Sequence, residues 1–314
     1  MAVYTHVSAE ALAAFLTRYD VGELVSAKGI AEGVENSNYL VDTTQGRFIL
    51  TLYEKRVAAD DLPFFMALLD HLDMKGLSVP PAIKDRDGRE IQELEGRPAC
   101  LIKFLTGVSV SHPTAAQACA AATAMAAMHA AVADFAPTRP NTMGHGTWRP
   151  LLDRCGRDLD TIRPGLFDRV SGALDTVLAR WPTDLPASAI HADLFPDNVL
   201  MLGDTVTGLI DFYFACTDIA AYDVAVMHSA WTFDARGLNP DTAIGEALLD
   251  GYGALSAAER AALPVLAQGA CIRFLLSRAW DWIHTPPDAM VMRKDPIAYL
   301  NRLDWYEANP EAFA

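Results

Sequence analysis

Apolar residues follow two different rhythms along the chain, and the change falls about one third of the way in. Ser8 to Leu16 spaces its apolar positions as a helix does, behind a serine suited to an N-cap, which predicts a short amphipathic helix. Three segments rich in β-branched and aromatic residues follow, Leu24 to Ile30, Asn38 to Thr43 and Phe48 to Tyr53, punctuated by Gly33 and by Thr44-Gln45-Gly46. They read as strands. Asp60 to Lys75 returns to the helical period, with Leu62, Phe65, Met66, Leu69 and Leu72 three or four apart, and two more strands are predicted near Ala82 to Lys84 and Pro98 to Phe104. Beyond Leu105-Thr106-Gly107 the pattern is mainly helical, over Thr114 to Ala133, Asp168 to Arg180, Ala221 to Phe233, Pro240 to Tyr252, Ala257 to Ile283 and Asp295 to Glu307. Two short apolar runs, Val199 to Leu202 and Val206 to Ile210 around Gly203-Asp204, carry the signature of a hairpin. Arg139 to Gly146 and Thr285 to Asp288 read as loops. The expected architecture is α+β and two-lobed: a small N-terminal antiparallel-sheet lobe over residues 1–105 and a larger, mainly helical C-terminal lobe over 106–314, with a cleft between them.

Composition narrows the possibilities. A chain of 314 residues has length enough for two lobes and a sizeable core. Its formal charge of −15 argues against sustained nucleic-acid binding, which needs clustered Lys and Arg, and leaves small-molecule substrates open. Cysteines 100, 119, 155, 216 and 271 are odd in number, scattered and without a C-x-x-C pair, so neither a disulfide framework nor a zinc site is indicated and a reducing cytoplasm is expected. The N-terminus MAVYTHVSAEALAAF lacks the pattern of a secretory signal. Thr114 to Ala133 has no charged residue and is long enough to span a bilayer, yet it is mostly Ala, the best helix former. A packed helix is expected and no membrane association, with His129 as a hydrogen-bonded histidine at its end.

The candidate chemistry lies in AIHADLFPDNVL and GLIDFYFA. His191, Asp193 and Asn198 spell H-x-D-x-x-x-x-N, and Asp211 follows the hairpin in I-D-F. Phosphoryl transfer needs a carboxylate to accept a hydroxyl proton and hard oxygen ligands for a divalent metal. Asp193 suits the first role; Asn198 and Asp211, at the entrance and exit of one hairpin, suit the second. His191 reads as a brace for the loop. Either motif alone would pass as an ordinary polar turn, with Asp197 a solvated part of it; both together at this spacing favour phosphotransfer. The segment Gly33 to Tyr39 could set backbone N–H groups and two amides, Asn36 and Asn38 with Ser37 between them, against a phosphate, although it has one glycine and not G-x-G-x-x-G.

These residues resemble the aminoglycoside and choline kinase-like phosphotransferases, and the whole chain, including GIAEGVENSNYLV, FILTLYE, DLPFFMALLDHL, GLIDFYFACTD and RFLLSRAWDW, resembles their homoserine-phosphorylating branch. The resemblance implies a protein-kinase-like fold, ATP and Mg2+, and phosphorylation of the L-homoserine hydroxyl on the way to threonine. It also implies Asp193 as base, Asn198 and Asp211 as magnesium ligands, and Asn36 to Asn38 in the phosphate-facing turn. Two positions depart from the wider kinase pattern. Thr51 stands where the third strand usually carries a phosphate-pairing lysine, with Lys28 or Lys55 as substitutes, and Tyr213 stands where choline kinase-like relatives tend to have glutamate. For the ammonium and carboxylate of homoserine, Arg273 with Asp281 on the last long helix is the expected grip, with Tyr213, Tyr222 and Trp231 as possible lining. Another small acceptor (choline, a sugar, an aminoglycoside), a non-catalytic nucleotide-binding protein, and a metal hydrolase using His191 and Asp193 remain as alternatives.

Overall fold

The computed structural model of the chain describes residues 4–30, 36–54, 58–253, 255–285 and 293–313. It divides into two compact units, Met1–Thr106 with Gly208–Tyr213, and Gly107–Thr207 with Phe214–Ala314. The first opens with α1 (Ala9–Leu16), whose Ser8 hydroxyl accepts from the Ala11 N–H at 3.1 Å. Then come β1 (Leu24–Ile30), β2 (Ser37–Thr43), β3 (Gly46–Leu52), α2 (Leu62–Met74), β4 (Gln92–Leu94) and β5 (Arg97–Lys103). The five strands form one antiparallel sheet in the order β1-β2-β3-β5-β4. Side chains alternate across it. Tyr39, Val41, Leu50, Leu52 and Leu101 form a core with Leu12, Phe15 and Leu16 of α1. Asn38, Thr51 and Cys100 pair in register on the other face, where the Cys100 Sγ lies 3.9 Å from the Met66 Sδ of α2.

The strand expected near Ala82 to Lys84 is only an isolated bridge from Ala82 to Ile102. Pro80 and Pro81 just before it lack the N–H groups a ladder needs. The edge strand β4, which periodicity did not reveal, is three residues long and turns into β5 through Glu95 and Gly96, both at positive φ.

The second unit holds α3 (Ala115–Ala131), α4 (His145–Cys155), α5 (Leu159–Ile162), α6 (Leu166–Ala179), β6 (Ala187–Ile190), β7 (Val199–Leu202), β8 (Thr205–Leu209, whose last two residues group with the first unit), β9 (Cys216–Ile219), α7 (Ala220–Trp231), α8 (Thr242–Tyr252), α9 (Ala257–His284) and α10 (Ile297–Ala308). Strands β7 and β8 make the expected hairpin, turning at Gly203 with φ 62°, and β6 pairs with β9 from Ala187↔Ile219 to Ile190↔Cys216. His145 and Gly146, expected in a loop, instead begin α4, whose helical rhythm is masked in the sequence by Gly144, Gly146 and Pro150. The uncharged α3 meets the length and hydropathy of a membrane span, but it buries Ala118, Ala121, Ala122, Met125 and Met128 and is capped by the reciprocal Thr114 and Gln117 bonds. It lies so close to α8 that a Cβ on Gly251 would come within 2.3 Å of the Cys119 carbonyl oxygen. The 28-residue α9 is the axis on which α4, α7 and α10 pack. Gly33 and Lys55, and residues 286–288 of the loop expected after α9, lie outside the described residues.

Candidate active site

Strand β6 delivers the chain to His191-Ala192-Asp193, and the backbone there is under strain. Ala192 has φ 62°, a left-handed conformation that costs a residue with a Cβ about 1–2 kcal/mol. Asp223 of α7, fully buried, accepts the Ala192 N–H at 2.7 Å on Oδ1 and the His191 N–H at 2.8 Å on Oδ2. From the other side the Nη1 of Arg273 on α9 donates to the Ala192 carbonyl. Behind Asp223, His129 sets its Nε2 3.1 Å from Oδ2 and its Nδ1 2.9 Å from the Tyr252 hydroxyl. With the proton on Nε2 all three groups are satisfied. Burial alone would raise the Asp223 carboxyl; the hydrogen bond and charge of His129 and the contributions of His191 outweigh it, so the group sits below the ordinary value.

His191 is buried, and its Nδ1 accepts the Asp193 N–H at 3.3 Å, which holds the ring under the loop. The Asp193 side chain keeps 18% of its surface exposed. Its Oδ1 is 3.8 Å from Arg273 Nη2 and its Oδ2 3.4 Å from Asn198 Nδ2. Asn198 also donates from Nδ2 to the Asp193 carbonyl at 2.7 Å. With the NH2 end of Asn198 committed inward, its Oδ1 is the atom left for a cation, and an amide oxygen is the hard donor magnesium accepts. Among the described residues no three His, Cys, Asp or Glu side chains cluster as a metal site. The loop is pinned from behind by the Trp231 Nε1 on the Leu194 carbonyl, 2.9 Å, and by the Phe195 and Phe274 rings, 4.9 Å apart.

Asp211 belongs to the first unit, exposed and at φ 67°, a second strained non-glycine position in the motif. Tyr213 follows it into the same unit, its hydroxyl 3.3 Å from that of Tyr53 and its ring edge-on to Tyr53 and Phe65. Burial pushes its phenol well above the ordinary value. The ring expected to line an acceptor pocket is therefore committed to packing within its own unit.

The phosphate-facing trio divides in the same way. Ser37 is fully buried; its hydroxyl accepts the Tyr4 and Thr5 N–H groups at 2.8 and 3.0 Å and donates to Glu54 Oε1 at 2.8 Å, which corrects its assignment to a phosphate contact. Asn36 accepts the Glu54 N–H at 3.4 Å, and Asn38 accepts the Thr51 hydroxyl at 2.8 Å. Thr51 is buried and so fills the lysine position as a structural residue. Lys28 pairs with Leu40 and Thr51 with Asn38; since 28, 40 and 38 alternate in step, Lys28 stands on the Thr51 face of the sheet.

The expected Arg273 and Asp281 grip is also corrected. Eight residues of helix separate them by about 12 Å, and both terminal nitrogens of Arg273 already face Ala192 and Asp193. Trp280 packs with Arg154, 4.1 Å over its ring, and with His284. Tyr222 and Trp231, offered as lining, are both in the core. Sequence reasoning missed Asp223, although a lone carboxylate inside the apolar run AAYDVAVMHSAW is a signal, because a buried charge needs a partner.

A loop that presents an aspartate and an asparagine in this order, on this fold, has the groups that phosphoryl transfer calls for. Residues 26–263 match the model of the phosphotransferase enzyme family, and the chain belongs to that family. A protein of Acidiphilium cryptum (strain JF-5) named homoserine kinase is 54% identical over 98% of this chain and 97% of its own length. Another of that name from Nitrobacter winogradskyi (strain Nb-255) is 53% identical, covering 96% and 94%. Among solved structures, amicoumacin kinase hAmiN in complex with AMP-PNP, Ca2+ and Ami shares the fold, with a TM-score of 0.73 at 13% identity over 96% of this chain and 94% of that one.

Proposed function

We propose that this chain transfers the γ-phosphoryl group of ATP to the side-chain hydroxyl of L-homoserine, giving O-phospho-L-homoserine and ADP, a cytoplasmic step toward threonine. The observation that carries this is the clamped loop that offers Asp193 and Asn198, in a chain more than half identical to proteins named homoserine kinase. In this reading the Asp193 carboxylate takes the hydroxyl proton as the acceptor oxygen bonds to the γ-phosphorus and the bond to the β,γ-bridging oxygen breaks. Asn198 and Asp211 are the residues that would hold magnesium, which when bound offsets charge on the phosphate oxygens. The first unit would serve the nucleotide, with Lys28 as its cation in place of the absent third-strand lysine, and the second unit the acceptor. His191 acts through the loop it braces.

The test is ATP consumption by the purified chain with homoserine, choline, a sugar and an aminoglycoside in parallel. Stimulation by homoserine above the others is expected; none with homoserine rejects the substrate. Asp193→Asn should keep the fold and nucleotide binding while turnover falls by roughly three orders of magnitude or more, and undiminished turnover rejects the base. Thr51 at the lysine position favours one second reading, a nucleotide-binding protein without turnover, which magnesium-dependent ATP binding with no consumption on any acceptor would support.

A further inference from the structure

Arg273 is 2% exposed, on the most buried stretch of α9. Its guanidinium lies 4.4 Å over the Phe274 ring and 5.4 Å over Phe214, so it has exchanged water for aromatic faces and whatever its nitrogens touch. Nη1 donates to the Ala192 carbonyl, Nη2 is 3.8 Å from Asp193 Oδ1, and Nε is enclosed without a hydrogen-bond partner. The fork is thus turned toward the loop that carries Asp193, with Nη1 bonded to its backbone and Nη2 beside its carboxylate. The residue it holds is the strained one: Asp223 takes the Ala192 N–H while Arg273 takes the Ala192 C=O, so buried opposite charges clamp a single left-handed residue from its two ends. The next side chain along is the proposed base.

We propose that Arg273 is a positioning residue for phosphoryl transfer: its planar fork fixes the Ala192 peptide and the direction of the Asp193 carboxylate, and it does not bind the acceptor. The assignment rests on the phosphotransferase reading of Asp193 and not on homoserine as the acceptor. Lysine cannot replace the fork, since a single ammonium reaches one of the two oxygens and not both in fixed geometry. Loss of the fork lets the carboxylate move, and a displacement of about 1 Å at a reacting group costs roughly a hundredfold in rate.

The experiment compares wild type, Arg273→Met, Arg273→Lys, Asp193→Asn and Arg273→Met/Asp193→Asn as full chains, on homoserine or on whichever acceptor the wild type turns over. Thermal melting and ATP binding identify the folded fraction. Arg273→Met should lower kcat by about a hundredfold with both KM values within about threefold of wild type, and Arg273→Lys should recover only part of the loss. Should the methionine variant fail to fold, Arg273→Lys carries the test, with at least about a tenfold loss in kcat and unchanged KM expected. On the Asp193→Asn background, Arg273→Met should add less than about threefold, because a residue acting through the base loses its effect with it. A rise in acceptor KM of about tenfold or more with kcat preserved would make Arg273 a substrate ligand and overturn the proposal, as would unchanged kcat in both single variants or full additivity in the double variant. Undiminished turnover in Asp193→Asn alone overturns the base assignment instead, so the two failures are separable.

Discussion

At the scale of single residues, the site is built by holding one unfavourable conformation. Ala192 at φ 62° does not persist on its own account, and the side chains that hold it, Asp223, Arg273 and through them His129, lie far away in sequence. Asp223→Ala removes the acceptor of two backbone N–H groups and leaves His129 without its carboxylate, and breaking such a buried charged arrangement costs about 3–5 kcal/mol. An unfolding free energy in urea lowered by that amount is expected, with turnover lost even in the folded fraction; full activity at wild-type stability would show that the loop stands without its anchor. The roles proposed for Asp193, Asn198 and Asp211 come from the sequence, because their order along the chain is what the chemistry asks for. Asp223 and Arg273 were not, since each sits alone on an apolar helix and its partner is fixed only by packing. Ser37, placed in the phosphate-facing turn by its position in the sequence, has its hydroxyl engaged by Glu54 and the N-terminal segment, partners that only the fold reveals.

At the scale of elements, what decided legibility was length. Among helices of three turns or more, α2, α3 and α6 to α10 fall within a few residues of expectation, and α4, as long as α8, is the exception whose period Gly144, Gly146 and Pro150 mask. β6 and β9 have four residues each and β4 three, too few to display alternation. Strand register then yields something no single strand shows, that Lys28 shares the face of Thr51. An exposed cation contributes about 0.3–1 kcal/mol to holding a phosphate, so Lys28→Met should raise the KM for ATP roughly two- to fivefold and leave the acceptor KM alone. Steady-state kinetics at varied ATP decides it, and an unchanged value would return the whole load to magnesium and backbone donors. Helix contact gives a second test. Gly251→Ala drives a Cβ into the Cys119 backbone, so α3 and α8 must separate, and a loss of about 1–3 kcal/mol in chemical denaturation is expected. Unchanged stability would mean the two helices are not packed this tightly.

At the scale of the whole molecule, the change of rhythm near residue 105 marked two units, but nothing in it showed that Gly208–Tyr213 returns to the first. That return depends on Tyr213 packing with Tyr53 and Phe65, contacts between positions far apart in the chain. Global stability has its own signature in pH. His228 lies in the core of the second unit, its Nδ1 2.6 Å from the Tyr306 hydroxyl and its ring 4.6 Å from that of Phe313, and burial pushes its pKa down from 6.5 to about 3. Between those values the unfolded chain binds a proton that the native state refuses, so stability falls as pH drops from 6.5 toward 3, by up to about 1.4 kcal/mol per pH unit from this one group. Asp223, also depressed, works in the same direction but only lower: its contribution is intact above its unfolded value near 3.8 and is lost as pH falls through the folded one. The interval from pH 6.5 to 4.5 therefore separates the two. Urea unfolding across that interval should give a wild-type slope steeper than that of His228→Gln by about one proton, whatever the absolute stabilities, because glutamine cannot titrate. Parallel slopes would mean that His228 is protonated in the native state and that the core around Tyr306 and Phe313 admits the charge.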